Sequence, residues 1–223
     1  MLQVDSLHFR YNQFARPVLN GASLTLGQGE IGVLLGKNGS GKTTLFKNIL
    51  GIHRPSSGSV QLCGENLQKL HRRERARRIA YVPQNISFGA LTVFDSIMMG
   101  RVSYFGLKAQ KEDYSAVERI IARMGLEGLE KRSIGELSGG QLQRALLGRA
   151  LVSNPEVVIL DEPNTYIDKR FEAKLYSLLE EINRERAIVL VSHDIGTVLK
   201  NVKTIACVNE TVHYHPHTEV PTE

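Results

Sequence analysis

A strand that leads directly into a glycine-rich loop and a helix is the feature that most constrains what this chain can fold into. The stretch "EIGVLLG" is a nearly continuous apolar run, as expected for a strand that is covered on both faces. It continues into "GKNGSGKTT", from Gly36 to Thr44, and then into a helical stretch. Gly36, Gly41, Lys42 and Thr43 match the pattern G-x-x-x-x-G-K-[ST], which predicts a phosphate-binding loop.

The loop predicts how a nucleoside triphosphate is held. Its glycines allow backbone N–H groups to surround the phosphates, Lys42 reaches the β and γ oxygens, and the Thr43 hydroxyl holds magnesium. A chance glycine-rich turn is disfavoured, because the strand before the loop and the helix after it are also present. The residues predicted to bind ATP are Gly36, Lys37, Asn38, Gly39, Ser40, Gly41, Lys42, Thr43 and Thr44.

Two carboxylates end a second buried strand, "VVILDE". In a parallel sheet the carboxyl ends of the strands share one edge with the loop, so both side chains are expected near the phosphates. Asp161 is predicted to hold magnesium, and Glu162, one residue beyond the strand, is predicted to act as the general base for an attacking water. The alternative is an acidic helix cap before Pro163.

Two further polar residues follow strand-like runs in the same way. Gln84 comes after "YVP" and His193 comes after "IVLVS". Gln84 is a candidate ligand of magnesium or of the water, and His193 is a candidate sensor of the γ-phosphate; both are included among the catalytic candidates with Glu162. Taken singly, each is also compatible with an ordinary loop residue.

A second glycine-rich helix start lies in "ELSGGQLQRALLGRALVSNP". Ser138 and Gln141 have the spacing of a capping box, so a well-capped helix is the simpler interpretation. Gly139 and Gly140, however, cost helix stability and leave N–H donors open to an anion. The first loop already surrounds one side of the phosphates. The start of this helix is therefore expected to contact the far side of the γ-phosphate of an ATP that is bound to another subunit.

The remaining pattern predicts an α/β fold. Strand-like runs before residue 30 indicate an N-terminal antiparallel β layer, and buried-strand runs return after Pro155. A helical block of residues 89–154 interrupts them, with apolar residues of "YSAVERIIARMG" at helical spacing. We therefore predict a single domain over 1–223, in which 1–88 and 155–223 form a P-loop NTPase core of the RecA-like type with the β layer, and 89–154 form an inserted helical subdomain.

The composition of the chain indicates its expected cellular location and the character of its surface. No apolar run approaches the roughly 18 residues of a membrane-spanning helix, and the N-terminus lacks the pattern of a signal peptide, so we expect a cytosolic chain that reaches a membrane only through a partner. Cys63 and Cys207 follow apolar residues and are expected to be reduced and buried. The run "HRRERARR" supplies much of the net charge of +5, and a solvated helix face is favoured over contact with anionic lipid or nucleic acid.

The C-terminal stretch "VHYHPH" places His213, His215 and His217 at alternate positions. On an extended strand they would share one side, where a regulatory metal site is conceivable. A plain edge strand or a frayed tail is the favoured interpretation, because Pro216 interrupts the ladder.

In this order and spacing, "GKNGSGKTT", "YVPQ", "LSGGQ", "VVILDE" and "VSHD" resemble the motifs of ATP-binding cassette (ABC) ATPases over essentially the whole chain. The resemblance implies a head-to-tail homodimer that sandwiches two ATP molecules with Mg²⁺. Each ATP would lie between one phosphate loop and residues 138–141 of the other chain. It also implies that Tyr11 stacks on adenine, although a core aromatic is the simpler interpretation from sequence alone. Asp168 matches the aspartate that crosses the dimer seam, although residues 165–167 depart from the commoner pattern.

A single cassette without a fused membrane segment resembles the ATPase subunit of a transporter with separate permease chains and a substrate-binding protein. The segment around Gln84 is similar to iron-chelate and cobalamin importers, and the C-terminal part is similar to zinc and manganese importers. The resemblance thus implies import of a metal ion or metal chelate, at the cytoplasmic face of a membrane. An iron–sulfur assembly factor or an export subunit remains the alternative. No nucleic-acid partner is expected. DNA-repair members of the family insert a long coiled coil between the phosphate loop and the segment that corresponds to residues 138–141, and the stretch between Gly41 and Ser138 is too short for one.

Overall fold

The computed structural model describes residues 1–37, 39–84, 90–106, 108–163, 169–192, 204–209 and 211–216. Within these ranges the strands are β1 (Leu2–Phe9), β2 (Leu19–Leu26), β3 (Ile31–Leu35), β4 (Ser57–Leu62), β5 (Glu65–Asn66), β6 (Ile79–Val82), β7 (Val157–Asp161), β8 (Ala187–Val191), β9 (Thr204–Asn209) and β10 (Thr211–Pro216). The helices are α1 (Lys42–Ile49), α2 (Arg72–Arg78), α3 (Val93–Met98), α4 (Lys111–Arg123), α5 (Gly139–Leu151) and α6 (Lys169–Asn183), with 3₁₀ turns at Met99–Arg101 and Ile134–Glu136.

A six-stranded sheet in the order β10-β9-β3-β8-β7-β6 forms the centre of the fold. All its pairings are parallel except that of β9 with β10. Strands β3, β7 and β8 are apolar at successive positions because each is covered on both faces. In β3, Val33 packs against the helices on one side and Leu34 against the β layer on the other.

A four-stranded antiparallel sheet, in the order β2-β1-β4-β5, covers one face of the central sheet. Its inward residues alternate along β1 and β2, as expected for a sheet with one solvated face. Together with Leu45, Phe46 and Ile49 of α1 they fill the core between the two sheets. The predicted N-terminal β layer is thereby confirmed, and its buried residues pack against α1.

Helices α3, α4 and α5 pack together and extend the core on the opposite face, which α6 also covers. In α4, Val117 and Ile121 are buried, as is Met124 just after the helix, whereas Ile120 is only partly buried. No helix in the part of the chain that the structure describes is long and apolar enough to cross a membrane.

The prediction that both cysteines are buried is wrong for Cys63 and only partly correct for Cys207. Cys63 is exposed and Cys207 is half-buried, and both are free thiols. Cys63 is the first residue after β4 and has φ 50°, so it belongs to the turn towards β5 and leaves the buried face of the strand. Burial raises the pKa of the Cys207 thiol. The basic run forms α2, and none of the residues of this helix is buried, in agreement with a solvated face.

The histidine stretch reaches the sheet edge. His213 and His215 lie on β10, the edge strand, where they pair with Cys207 and Ile205. Pro216 is the last residue of this strand, so the ladder continues one residue further than the sequence suggests. An edge strand is the interpretation that the sequence favoured over a metal site for this stretch, and His217 lies outside the described residues.

One ion-pair cluster joins the two sheets. The Arg78 guanidinium donates to Glu156 Oε1 at 2.6 Å and also pairs with Glu65. Cys63 Sγ donates to Glu156 Oε2 at 3.1 Å. The hydrogen bond from Arg78 lowers the pKa of Glu156, burial opposes that shift, and the Cys63 thiol adds to the lowering.

Replacing Glu156 by Gln is expected to destabilise the protein in a pH-dependent way. A carboxyl whose pKa is lower in the folded state stabilises the fold fully above its unfolded pKa, near 4.5, and loses that contribution as the pH falls through the folded pKa. The difference between wild type and Glu156→Gln in the free energy of unfolding should therefore be largest near neutral pH and shrink as the pH falls through the lowered pKa of the folded state. Urea unfolding at several pH values measures it, and a pH-independent difference would contradict the ion-pair explanation.

Candidate nucleotide-binding site

The glycine-rich loop connects β3 to α1 at the carboxyl edge of the central sheet. Gly36 cannot carry a side chain, because a Cβ there would lie 2.4 Å from the carbonyl oxygen of Val208. Gly41 has φ 104°, a conformation that favours glycine, and it begins α1 without a side-chain cap. The first N–H groups of this eight-residue helix are therefore left for an anion.

Lys42 folds back over this loop. The residue is only 8% exposed, and its ammonium group donates to the carbonyl oxygens of Gly36 and, at 3.1 Å, Lys37. The neighbouring Ser40 hydroxyl is buried without a hydrogen-bond partner among the described residues. A buried ammonium and an unpaired hydroxyl beside open N–H groups form a cradle for negatively charged oxygens.

Asp161 lies at the end of β7, two strands from β3, and faces the loop across the sheet edge. The Tyr81 hydroxyl on the adjacent strand β6 donates to Asp161 Oδ2 at 3.0 Å. Burial raises the pKa of Asp161, and the neighbouring Glu162 charge adds to the rise, whereas the Tyr81 hydrogen bond and Lys42 oppose it. Burial beside Asp161 likewise raises the pKa of Tyr81.

Glu162 occupies a constrained position beyond the strand. Its φ of 48° is uncommon for a residue with a side chain, and its N–H donates to the Val191 carbonyl oxygen of β8 at 2.9 Å. The amide of Gln84, two residues beyond β6, donates to Glu162 Oε2 at 2.5 Å. The backbone conformation of Glu162 and the hydrogen bond from Gln84 thus fix the direction of the carboxylate. Uncommon backbone conformations of this kind are commonly found at functional sites.

These groups enclose one cleft with a volume of about 380 Å³. Its lining consists of Tyr11, Val18, Gly39, Gly41, Lys42, Thr43, Thr44, Gln84, Asp161 and Glu162. The cleft thus brings together most of the predicted loop residues with the predicted residues at and beyond the ends of β6 and β7, whereas Gly36, Lys37 and Ser40 of the loop do not line it. Asn38, Asp168 and His193 lie outside the described residues.

Tyr11 stands at the mouth of the cleft. It is 59% exposed, so it is not a core aromatic. Its ring packs edge-on against Phe9 and His53, with ring centroids 5.1 and 5.6 Å away, and its hydroxyl lies 3.2 Å from the Thr44 hydroxyl. An exposed ring held by two aromatic neighbours next to the phosphate loop can offer a stacking surface.

The second glycine-rich segment forms the predicted capping box at the start of α5. The Ser138 hydroxyl accepts from the Gln141 N–H at 3.4 Å, and Gln141 Oε1 accepts from the Ser138 N–H at 3.0 Å. Ser138 is exposed, and Gly139 and Gly140 are half-buried. None of these four residues lines the cleft around the loop of the same chain.

Two features of the cleft are not visible in single-sequence motifs. Tyr81 holds Asp161, and the Gln84 amide holds Glu162, although each pair is separated by about 80 residues in the chain. "YVPQ" marks the strand end, but only the adjacency of β6 and β7 turns Tyr81 towards a carboxylate.

A phosphate-binding loop between an inner parallel strand and a helix, with two carboxylates at the same sheet edge, defines a P-loop nucleoside triphosphatase. The model of the family described as ABC transporter matches residues 19–165. The chain belongs to this family and is its ATP-binding, ATP-hydrolysing component.

Individual relatives are similar over nearly the full chain. A manganese transport system ATP-binding protein of Synechocystis sp. is 37% identical over 98% of this chain and 85% of its own length. A zinc import ATP-binding protein of Saccharophagus degradans is 34% identical, over 98% and 80%. Among solved structures, a transporter assigned to the metal-chelate ABC type, in an inward-facing conformation, has a TM-score of 0.83 and 28% identity, over 97% of this chain and 83% of that one.

Proposed function

We propose that this chain hydrolyses ATP to power the import of a metal ion or metal chelate across a membrane. It works as a homodimer on the cytoplasmic face, attached through separate transmembrane permease subunits that receive cargo from a substrate-binding protein. The similarity to proteins named for manganese transport and zinc import supports this cargo class. Both names describe uptake or transport of a metal ion, which favours this function over the iron–sulfur assembly and export alternatives.

The arrangement of the cleft supports a role for each side chain. The loop N–H groups and Lys42 bind the phosphates, and the Tyr11 ring stacks on the base. Glu162 accepts a proton from the attacking water, with Gln84 holding its carboxylate in place. Asn38 completes the loop, and His193 contacts the γ-phosphate, as the resemblance to the family implies.

The oxygen donors of the cleft fit Mg²⁺. The Thr43 hydroxyl, the Gln84 side chain and the Asp161 carboxylate line the same cavity, and such hard oxygen ligands suit this ion. The raised pKa of Asp161 fits a buried carboxylate that gains from a nearby cation. When bound with ATP, the ion neutralises phosphate charge.

The position of the α5 start supports a shared site. Residues 138–141 do not line the cleft of their own chain, yet the N–H groups of the half-buried Gly139 and Gly140, in the first turn of α5, suit an anion. We infer that residues 89–154 act as a helical subdomain that presents this segment to the ATP of the partner subunit, and that Asp168 contributes across the dimer seam, as the resemblance to the family implies. This separation of two anion-binding segments in one chain is the observation that carries the dimer proposal.

The transport proposal is tested by reconstitution. The chain is purified with the membrane protein that co-purifies with it, placed in lipid vesicles, and supplied with ATP and radioactive manganese or zinc. The metal is supplied on the side of the membrane opposite the ATPase, and we expect ATP-dependent movement of the metal to the side that carries the ATPase, absent with Glu162→Gln. Co-purification of an assembly scaffold without a polytopic permease, or ATP-dependent movement of the metal away from the side that carries the ATPase, would overturn the proposal.

The isolated chain is expected to be weakly associated without nucleotide. The proposed interface consists largely of ATP and polar loops, with little apolar surface to hold two chains together. Sedimentation velocity of Glu162→Gln, with and without MgATP, should show a monomer without nucleotide and a dimer with it. A stable dimer in the absence of nucleotide would contradict the ATP-sandwich arrangement.

A further inference from the structure

A second cavity, of about 460 Å³, lies away from the nucleotide cleft. It is enclosed by α4, the end of α5, the 3₁₀ turn at Met99–Arg101 and the turn before β8. The nucleotide cleft opens at the carboxyl ends of the parallel strands, whereas Arg186 directly precedes β8. The five residues of β8 span about 16 Å. The arginine-lined cavity and the nucleotide cleft therefore lie towards opposite ends of this strand, and they share no lining residue.

The lining of this cavity combines cationic and apolar groups. Among the residues that the structure describes, it contains four arginines and no Asp or Glu; these lining residues are Arg101, Ala116, Arg119, Ile120, Arg123, Leu151, Val152, Asn154 and Arg186. Guanidinium groups around an apolar floor suit a ligand that has an anionic end and a hydrophobic body.

Arg186 shows that the cavity is built around a buried charge. The residue is only 4% exposed, and its guanidinium donates to Asn154 Oδ1 at 3.2 Å and to Glu185 Oε2 at 2.8 Å. Its Nε is buried and has no hydrogen-bond partner among the described residues. A buried charged donor that lines a cavity and keeps one N–H unpaired indicates a missing acceptor.

Of the other three arginines, two are ion-paired and one is not. Arg101 pairs with the buried Asp113 at 2.8 Å, and Arg123 pairs with Glu181 of α6 at 3.2 Å and with Glu185 at 3.9 Å. Arg119 is exposed and makes no ion pair within the described part of the chain. Arg119 is thus available to an incoming anion without the loss of an existing contact.

We propose that this cavity, the arginine cavity, is a binding site for a small phosphate monoester. A phosphate dianion offers three terminal oxygens to guanidinium groups that approach from several elements, whereas a carboxylate offers two. The floor formed by Ala116, Ile120 and Leu151 receives the apolar body of the ester. Since the arginines come from α4, the turn before β8 and the 3₁₀ turn, the ligand also joins these elements.

Calorimetric titration with phenyl phosphate, in magnesium-free buffer without other phosphates, tests the site. We expect saturable binding to the wild type, and binding about tenfold weaker to Arg119→Gln, which loses one charge-assisted contact. Because Arg119 is exposed and unpaired, this variant should fold normally, as thermal unfolding will show. Inorganic phosphate should bind more weakly than phenyl phosphate, since it cannot use the apolar floor.

Two variants exclude other locations. Arg73→Gln removes the same charge from α2, where Arg73 lines a different groove, and should leave the affinity unchanged. Lys42→Ala disables the nucleotide cleft and should also keep phenyl phosphate binding. Absence of saturable binding, equal affinity of wild type and Arg119→Gln, or loss of binding in either Lys42→Ala or Arg73→Gln would overturn the proposal.

Discussion

ATP turnover by Glu162→Gln is expected to fall by about 10² to 10⁴, equivalent to roughly 2.7 to 5.5 kcal/mol of barrier, if Glu162 is the general base. The amide keeps an oxygen that can accept from Gln84, whose amide lies 2.5 Å from the carboxylate, so the local geometry should survive. ATP binding should be retained, and an ATP-bound dimer should accumulate. Steady-state hydrolysis by the purified transporter, together with nucleotide-binding measurements, compares the variant with wild type.

Glu156→Gln provides a matched control for this effect. Glu156 precedes the first residue of β7, at the end of that strand opposite Glu162, and does not line the cleft. The same substitution there should leave turnover within about twofold at neutral pH, once stability is allowed for. Near-normal hydrolysis by Glu162→Gln would place the base elsewhere.

A dimer of one Lys42→Ala chain and one Gly139→Asp chain should keep one intact ATP site of its two. Lys42→Ala removes the phosphate-loop cation, and Gly139→Asp places a negative charge at the start of α5, where the γ-phosphate of the partner's ATP would lie. In a mixed dimer both lesions fall in one composite site, and the other site keeps an intact loop and an intact α5 start. With Glu162→Gln in both chains, the mixture should trap one ATP per dimer, whereas either homodimer should trap none.

Gly106→Asp is the control for the added charge. Gly106 is exposed, and a Cβ there meets no atom within 4 Å, so this variant should occlude ATP like its parent. If the two segments act on one ATP within a single chain, every site in the mixture carries one lesion. Mixed dimers that form but occlude no more ATP than the separate variants would therefore exclude the shared site.

Much of the site could be predicted because it depends on residues that are close together in the sequence. Gly36 and Gly41 are required by a close backbone approach and by a φ of 104°, and both constraints belong to one short loop. Ser138 and Gln141 close their capping box within a single helical turn. Such contacts depend on spacing alone, so the sequence predicts them without knowledge of the fold.

Burial at turns was predicted less well. Cys63 follows an apolar run, yet the chain turns at that residue and exposes it. Hydrophobic alternation identifies a strand but does not locate its last residue, because the end is set by where the partner strand stops pairing.

The sequence by itself determined the phosphate loop, the carboxylates after an apolar strand, the capped α5 start and the class of ATPase. Only the tertiary structure decided that β6 lies beside β7, which brings Tyr81 and Gln84 to Asp161 and Glu162. It alone also placed Arg186 in the arginine cavity. The reason is physical: helix caps and loops form between near neighbours in the chain, whereas the order of strands in a sheet depends on backbone pairing and side-chain packing between distant segments.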